Sequence, residues 1–423
     1  MRAAPAASPA AGRWRWRHLL LAPHRLAFFL ATLVLVSSAL WWALVQLDRS
    51  GVGPHLALVL SPSLVHATVM TFGFIPLFFA GFLFTAGPRW LGLLPPSASE
   101  LAPSLLAQAG GWLLWLAGSH MHALVAVAGL VLALGGMVAV TLRFRRLIAA
   151  SRLPDRLHPK LIGAALVFGC LCLAGLIGAL AAGADANLAR AFVLAGLWGF
   201  VVVVYVIVAH RMIPFLGSQA LPMARAWTSS WLLWVMLGAA LLEAAAGFLE
   251  AAGIASFGWR LARGLLQLGA GAAVVWVAVV WGRVQNVAIR LLAMLRLGFL
   301  WLGVGLALGG AAQLASLVAG APVLPLAALH AVTLGCLGSL MLAMVSRVSC
   351  ARSGRVTVVD DRLWLLFWLL QLATVLRIGA AVPAWPGQAL LLATALLWAG
   401  LSATWGVRHG YWYGCLRADG RPG

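Results

Sequence analysis

Acidic residues are scarce in this 423-residue chain, which holds 9 Asp+Glu against 29 Lys+Arg. Charged residues of both signs make up only 9% of it, against roughly 25% in a water-soluble domain. Such a chain cannot cover a water-facing surface, and no long polar segment is present to form a separate soluble domain. The only glutamates, Glu100, Glu243 and Glu250, are too scattered for a carboxylate relay. The five cysteines (Cys170, Cys172, Cys336, Cys350 and Cys415) form no CxxC or CxxCH motif. That excludes covalent c-type haem attachment and gives no disulfide framework. HExxH, a P-loop and a GxSxG elbow with partners are all missing, so nothing supports a hydrolase. No strand alternation of a transmembrane barrel appears.

What remains is apolar: 63% of the residues are hydrophobic. A helix needs about 20 apolar residues to cross the hydrocarbon core. Twelve runs qualify as candidate spans: 26–47, 63–86, 104–119, 121–142, 159–182, 190–210, 227–250, 261–282, 296–319, 324–346, 362–382 and 387–408. The third is short, and GSHMH between the third and fourth forces a tight helical hairpin. The fold class expected is all-α: a polytopic membrane protein, a bundle of about 12 transmembrane helices with both termini cytoplasmic. Its divisions are a basic N-terminal arm (1–25), the membrane domain (26–408) and a cytoplasmic tail (409–423). The first run is too long, and lacks a small-x-small cleavage site, to read as a removed signal peptide, so it is expected to be retained.

The net charge of +20 does not indicate nucleic acid, because the basic residues sit in short loops between apolar runs. With the N-terminus inside, 24 of the 29 Lys+Arg fall in inner segments. Only Arg49, Arg190, Arg260 and Arg263 fall outside, and Arg377 lies within a span. The positive-inside rule wants this asymmetry, and contact with anionic lipid heads is a by-product.

This topology gives the histidines a depth. His66 in the second span and His330 in the tenth each lie about one turn inside the outer end; His120 and His122 sit at the outer hairpin turn and His55 in the first outer loop. Neutral imidazole ligates haem iron and copper, so His66, His330, His120 and His122 are candidate metal ligands. The competing reading is an interhelical polar contact for the two intramembrane histidines and plain solvation for the loop ones. Met70 shares a helix face with His66 and is a candidate thioether ligand, though packing is its commoner use. Arg377, in the outer half of the eleventh span, needs an anion: Glu243 at comparable depth, or a haem propionate. Snorkelling to the interface is the alternative. Gly73, Gly81, Gly335 and Gly338 allow close approach of a backbone or a flat cofactor.

Three stretches carry a family resemblance. VHATVMTFGFIPLFFAGFLFTAGPRWLG (65–92) resembles the second-helix pattern WHAHEMLFGF…AGFLLTAVPNWTG of the NnrS family. HRMIPFLGSQAL (210–221) resembles its GRVIPFFT segment, and LHAVTLGCLGSLMLAMVSRVSCARSGR (329–355) resembles HALTVGAIGLMTLAMMTRVALGHTGR. The three lie in order along a matching twelve-span layout. The resemblance implies a haem- and copper-containing bacterial inner-membrane protein of nitric oxide metabolism and nitrosative-stress tolerance, with the reaction, if there is one, left open. His66 and His330 match the family's histidines. Thr68 and Val69 replace the second histidine and the glutamate of HAHE, Arg352 replaces the histidine of GHTGR, and His210 replaces a glycine. The expectation is therefore haem b retained and copper weakened. The alternative is a twelve-span secondary transporter without haem, which usually shows related halves and midplane polar groups. A haem–copper oxidase would need more intramembrane histidines than this chain has.

The charge count yields a topology test. Reporter fusions after residues 53, 186 and 322 should report periplasm, and fusions after 155, 287 and 357 cytoplasm. A cytoplasmic signal at 186 or 322 would overturn both the span count and the outer histidine layer.

Overall fold

In a computed structural model, which describes residues 13–218, 230–284, 288–355 and 358–419, the chain is helical and the described residues contain no strand. Residues 219–221 of the second resemblance segment, residues 1–12 of the basic arm and 420–423 of the tail lie outside the described residues.

Twelve long helices follow one another: α1 (Pro23–Arg49), α2 (Pro62–Leu91), α3 (Ala98–Met121), α4 (Ala123–Ala150), α5 (Leu157–Ala181), α6 (186–218), α7 (Ser230–Ala251), α8 (Phe257–Val284), α9 (Arg290–Ala319), α10 (Ala327–Arg352), α11 (Asp361–Gly379) and α12 (Gly387–Tyr413). Eleven are long and apolar enough to cross a membrane. The remaining one, α3, is 24 residues long but less apolar, with Glu100, Gln108 and several serines and glycines. It is longer than the expected 104–119 because a capping box starts it early: Ser97 Oγ accepts from the Glu100 amide at 3.3 Å and the Ser97 amide donates to Glu100 Oε1 at 3.1 Å.

Glycine determines how the two hairpins close. In α3–α4, Gly111 and Gly129 face each other, with Gly118 against Ala126 and Gly136 against Ser104; a Cβ on Gly111 would sit 2.5 Å from the Gly129 carbonyl oxygen. The same seven-residue spacing recurs in α8–α9, where a Cβ on Gly310 would sit 2.5 Å from the Gly264 oxygen. Two turns separate the members of each pair, so both lie on one face and the backbones touch.

Two of the four proposed close-approach glycines serve aromatic packing. The Phe28 ring fills the place of a Gly81 Cβ, and Trp301 lies 2.6 Å from that of Gly335. Gly338 has only ordinary contact with Leu370. Gly73 marks a break in α2, with ψ at −93°. Pro76 explains it: proline has no N–H for the Phe72 carbonyl, and its ring crowds that carbonyl.

The described N-terminal arm is not free. Residues Trp16–Leu21 form a short 3₁₀ turn. The Arg15 amide donates to the Gly414 oxygen at 2.9 Å, and Arg25 donates to the Tyr413 and Cys415 oxygens at 3.2 and 2.6 Å. Ala418 donates in turn to the Ser353 oxygen at 2.9 Å. Arm, tail and the α10–α11 loop thus share one end of the bundle, the basic end, and are structurally continuous with the helices.

Adjacent glycines give a controlled test of the hairpin. Gly111→Ala forces a methyl group onto backbone and should cost about 1–3 kcal/mol. Gly110→Ala meets nothing within 4 Å and should gain up to about 1 kcal/mol of helix propensity. Thermal denaturation of detergent-solubilised protein, read by size-exclusion, should therefore lower the first midpoint and hold or raise the second.

Candidate functional site

His66 sits in the second turn of α2, about two turns before the Gly73 break. Its ring stacks on Trp42 of α1, with centroids 3.9 Å apart and planes 18° from parallel, and the Arg49 guanidinium lies 5.4 Å from the Trp42 ring centre. Nδ1 of His66 is sealed from solvent without a hydrogen-bond partner, which costs roughly 1–3 kcal/mol for a buried polar group. The ionisable groups that act on His66 across space are His330, Arg377 and Arg49. The two intramembrane histidines thus belong to one electrostatic site, as their equal depth requires.

His330 closes the first turn of α10. The approach to it is strained: Leu324 and Leu326 have φ of 48° and 64°, a left-handed conformation that costs an L-residue roughly 1–2 kcal/mol. That conformation delivers the Leu326 carbonyl to His330, which bonds it twice, through its amide at 3.1 Å and through Nδ1 at 2.8 Å. Nδ1 therefore carries the proton, and the lone pair falls on Nε2. A carbonyl that fixes the tautomer in this way is the usual partner of a metal-ligating histidine. Immediately beyond, residues Ala331–Gly338 run as a π-helix, an irregularity frequent at functional sites. A second π segment spans Leu197–Val202 in α6.

The two histidine helices do not pack extensively against each other. α2 lies among α1, α3, α4, α5 and α6, whereas α10 lies against α9, α11 and α12. His66 and His330 thus stand on helices of these two groups.

Arg377, on α11, is electrostatically coupled to both histidines. The expected Glu243 pairing does not occur. Glu243 holds Arg263 through both oxygens, at 2.6 and 2.8 Å, and Glu250 joins the same guanidinium. The reason is local: α8 begins at Phe257, so Arg263 is a helix residue packed on α7 rather than a loop residue. The other carboxylates are also engaged. Asp48 lies by His55, Glu100 by Arg143, Asp360 by Arg408, Asp361 by Arg290 and Asp419 by Arg417. Asp155 accepts from the Leu157 amide and Asp185 from Asn187. With all nine acids committed, Arg377 has no hydrogen bond or ion pair among the described residues.

The outer-turn histidines have other uses here. His120 Nδ1 donates to the Ala57 oxygen at 2.9 Å, and its Nε2 accepts from Trp41 at 2.8 Å. Both ring nitrogens are engaged, so no lone pair is left for a metal. With the Val59 amide on the Ser119 oxygen at 2.9 Å, His120 pins the α1–α2 loop to the end of α3. His122 is exposed and caps α4, its Nδ1 accepting from the Leu124 amide at 3.1 Å. Met70 is partly buried against the core. Among the described residues no cluster of three His, Cys, Asp or Glu side chains could hold a metal ion. The residues present fit a haem and do not fit a closed copper site.

Sequence reasoning missed Trp41 and Trp42, whose signal was two adjacent indoles near the outer end of the first span. Nor does the sequence reveal the surroundings of the histidines near the basic end. His18, His24 and His409 are buried at 7%, 4% and 1% exposure. His158 Nε2 lies 3.2 Å from His210 Nδ1.

The chain matches the family model described as NnrS protein over residues 18–417. No curated protein matches it. The match covers nearly every described helix and both histidine helices, and the chain belongs to the NnrS family.

Proposed function

We propose that this NnrS-family membrane protein binds haem b between α2 and α10 of a bacterial inner membrane, with His66 and His330 as axial ligands, and serves nitric oxide response and nitrosative-stress tolerance. The observation that carries the reading is a pair of intramembrane imidazoles electrostatically coupled to each other and to an arginine that has no carboxylate partner among the described residues. Haem b held there by both imidazoles would supply one-electron chemistry.

The protein's own residues account for the rest. The Leu326 carbonyl keeps the proton of His330 on Nδ1 and its lone pair on Nε2. Trp42 fixes the ring plane of His66 by stacking. Arg377 is the counter-charge for a propionate, which its planar guanidinium binds bidentately. Met70, one turn from His66, borders the site on the same helix face. If the charge asymmetry sets the topology, the site lies in the periplasmic half of the bilayer. Copper is not part of this reading, since Thr68 and Val69 offer no imidazole or carboxylate and His120 is engaged elsewhere.

Three measurements on detergent-purified protein test this. Oxidised and reduced absorption spectra should show a haem b Soret band that His66→Ala and His330→Ala abolish or shift at unchanged expression, whereas His55→Ala, at an exposed loop position, leaves it intact. A native band in both intramembrane variants would reduce the two histidines to interhelical contacts.

Arg377→Gln should lower haem retention about tenfold, the worth of one charge-assisted hydrogen bond, without removing the band. Elemental analysis should return iron with little copper. Stoichiometric copper that survives a mild chelator would overturn that part.

A further inference from the structure

A second feature lies deeper in the bundle. Phe78 and Met341 follow His66 and His330 by 12 and 11 residues, a displacement of roughly 17 Å toward the basic end at about 1.5 Å per residue. There α1, α2, α6, α9 and α10 line a partly open cleft. Phe78, Phe79 and Phe82 form one wall, and Met212, Met341 and Met344 another. Among the described residues no imidazole, thiol or charged side chain lines it, which disfavours a second haem-ligating histidine site or a site for a free ion.

One polar group reaches this apolar space, the Tyr205 hydroxyl. The Tyr205 ring is held edge-on by Phe79, with centroids 5.4 Å apart. Its hydroxyl has no hydrogen-bond partner among the described residues, and the protein does not seal it off. An otherwise apolar cleft with one oriented polar group is the usual form of a small-molecule site. Methionine walls can adapt to the ligand's shape, and aromatic walls favour a flat ring.

The geometry points to a quinone as the occupant: a bilayer-soluble, flat, uncharged ring with a carbonyl oxygen that accepts the Tyr205 proton. An acyl chain fills the same volume but leaves the phenol unanswered. A polar solute would be desolvated by the apolar walls without compensation. This inference stands apart from the haem reading, because the cleft shares no residue with the histidine site.

The test uses the full chain in phosphatidylcholine nanodiscs, an azidoquinone photolabel and decylubiquinone as competitor, with peptide mapping by mass spectrometry. Label should enter the segments around Tyr205 and 340–345 and be displaced by decylubiquinone but not by dodecanol. Tyr205→Phe should weaken displacement about fivefold, the worth of one neutral hydrogen bond. Ala209→Trp, which places an indole in the cleft, should abolish labelling while any Soret band is unchanged. Label spread over lipid-facing helices, or displacement by dodecanol as well, would make the cleft an apolar void or an acyl-chain site and overturn the proposal. If Ala209→Trp does not run as a single monodisperse species, Tyr205→Phe decides: unaltered competition in that variant also overturns it.

Discussion

The hydrocarbon core supplies no hydrogen-bond partner, and the rest of the structure follows from that constraint. Every backbone group inside it must be satisfied within its own helix. Hydroxyls turn back onto the preceding turn, as Thr141 does onto the Met137 oxygen at 2.8 Å and Thr374 onto the Leu370 oxygen at 2.9 Å. Helices then associate by fit, and the glycine faces of α3–α4 and α8–α9 let backbones touch. Against this background an unmatched polar atom is conspicuous. Gln46 Oε1, His66 Nδ1, Thr68 Oγ1 and Gln108 Nε2 are such atoms on α1, α2 and α3.

Scarcity of acid acts alongside it. With so few carboxylates, each lies near a helix end where it can cap a helix or meet an arginine. Asp360 does both: it accepts from the Leu363 amide at 3.0 Å and holds Arg408 through two contacts of 2.8 Å. The hydrogen bonds from Arg408 hold its carboxyl below the usual carboxylate range. The contribution of this pair is therefore present above the ordinary carboxylate pKa and lost as pH falls through the lowered one. None of these acids reaches Arg377.

Much of the candidate site was legible. Equal depth of His66 and His330 followed from span counting, and both were drawn into one electrostatic site. Arg377 was identifiable as a cation in need of an anion. Its proposed partner was not, because depth along a helix says nothing about azimuth: Glu243 faces α8, and Arg263 takes it. The bonds that His120 and His122 make in the fold were not legible for a related reason. A histidine at a turn has several nearby backbone groups to bond, and only the folded loop shows which of them it meets.

Composition and charge by themselves determined that the chain is a helical membrane protein, the number of its long helices, and which segments share an end. These depend on apolar run length and on where arginines interrupt the runs, both one-dimensional properties. Tertiary structure alone decided which helices are neighbours, that Trp42 stacks on His66, and that a phenol opens into an apolar cleft. Those facts depend on the rotation of each helix about its axis. That rotation is set by packing among surfaces that are nearly all apolar, so hydrophobic periodicity carries almost no information about it.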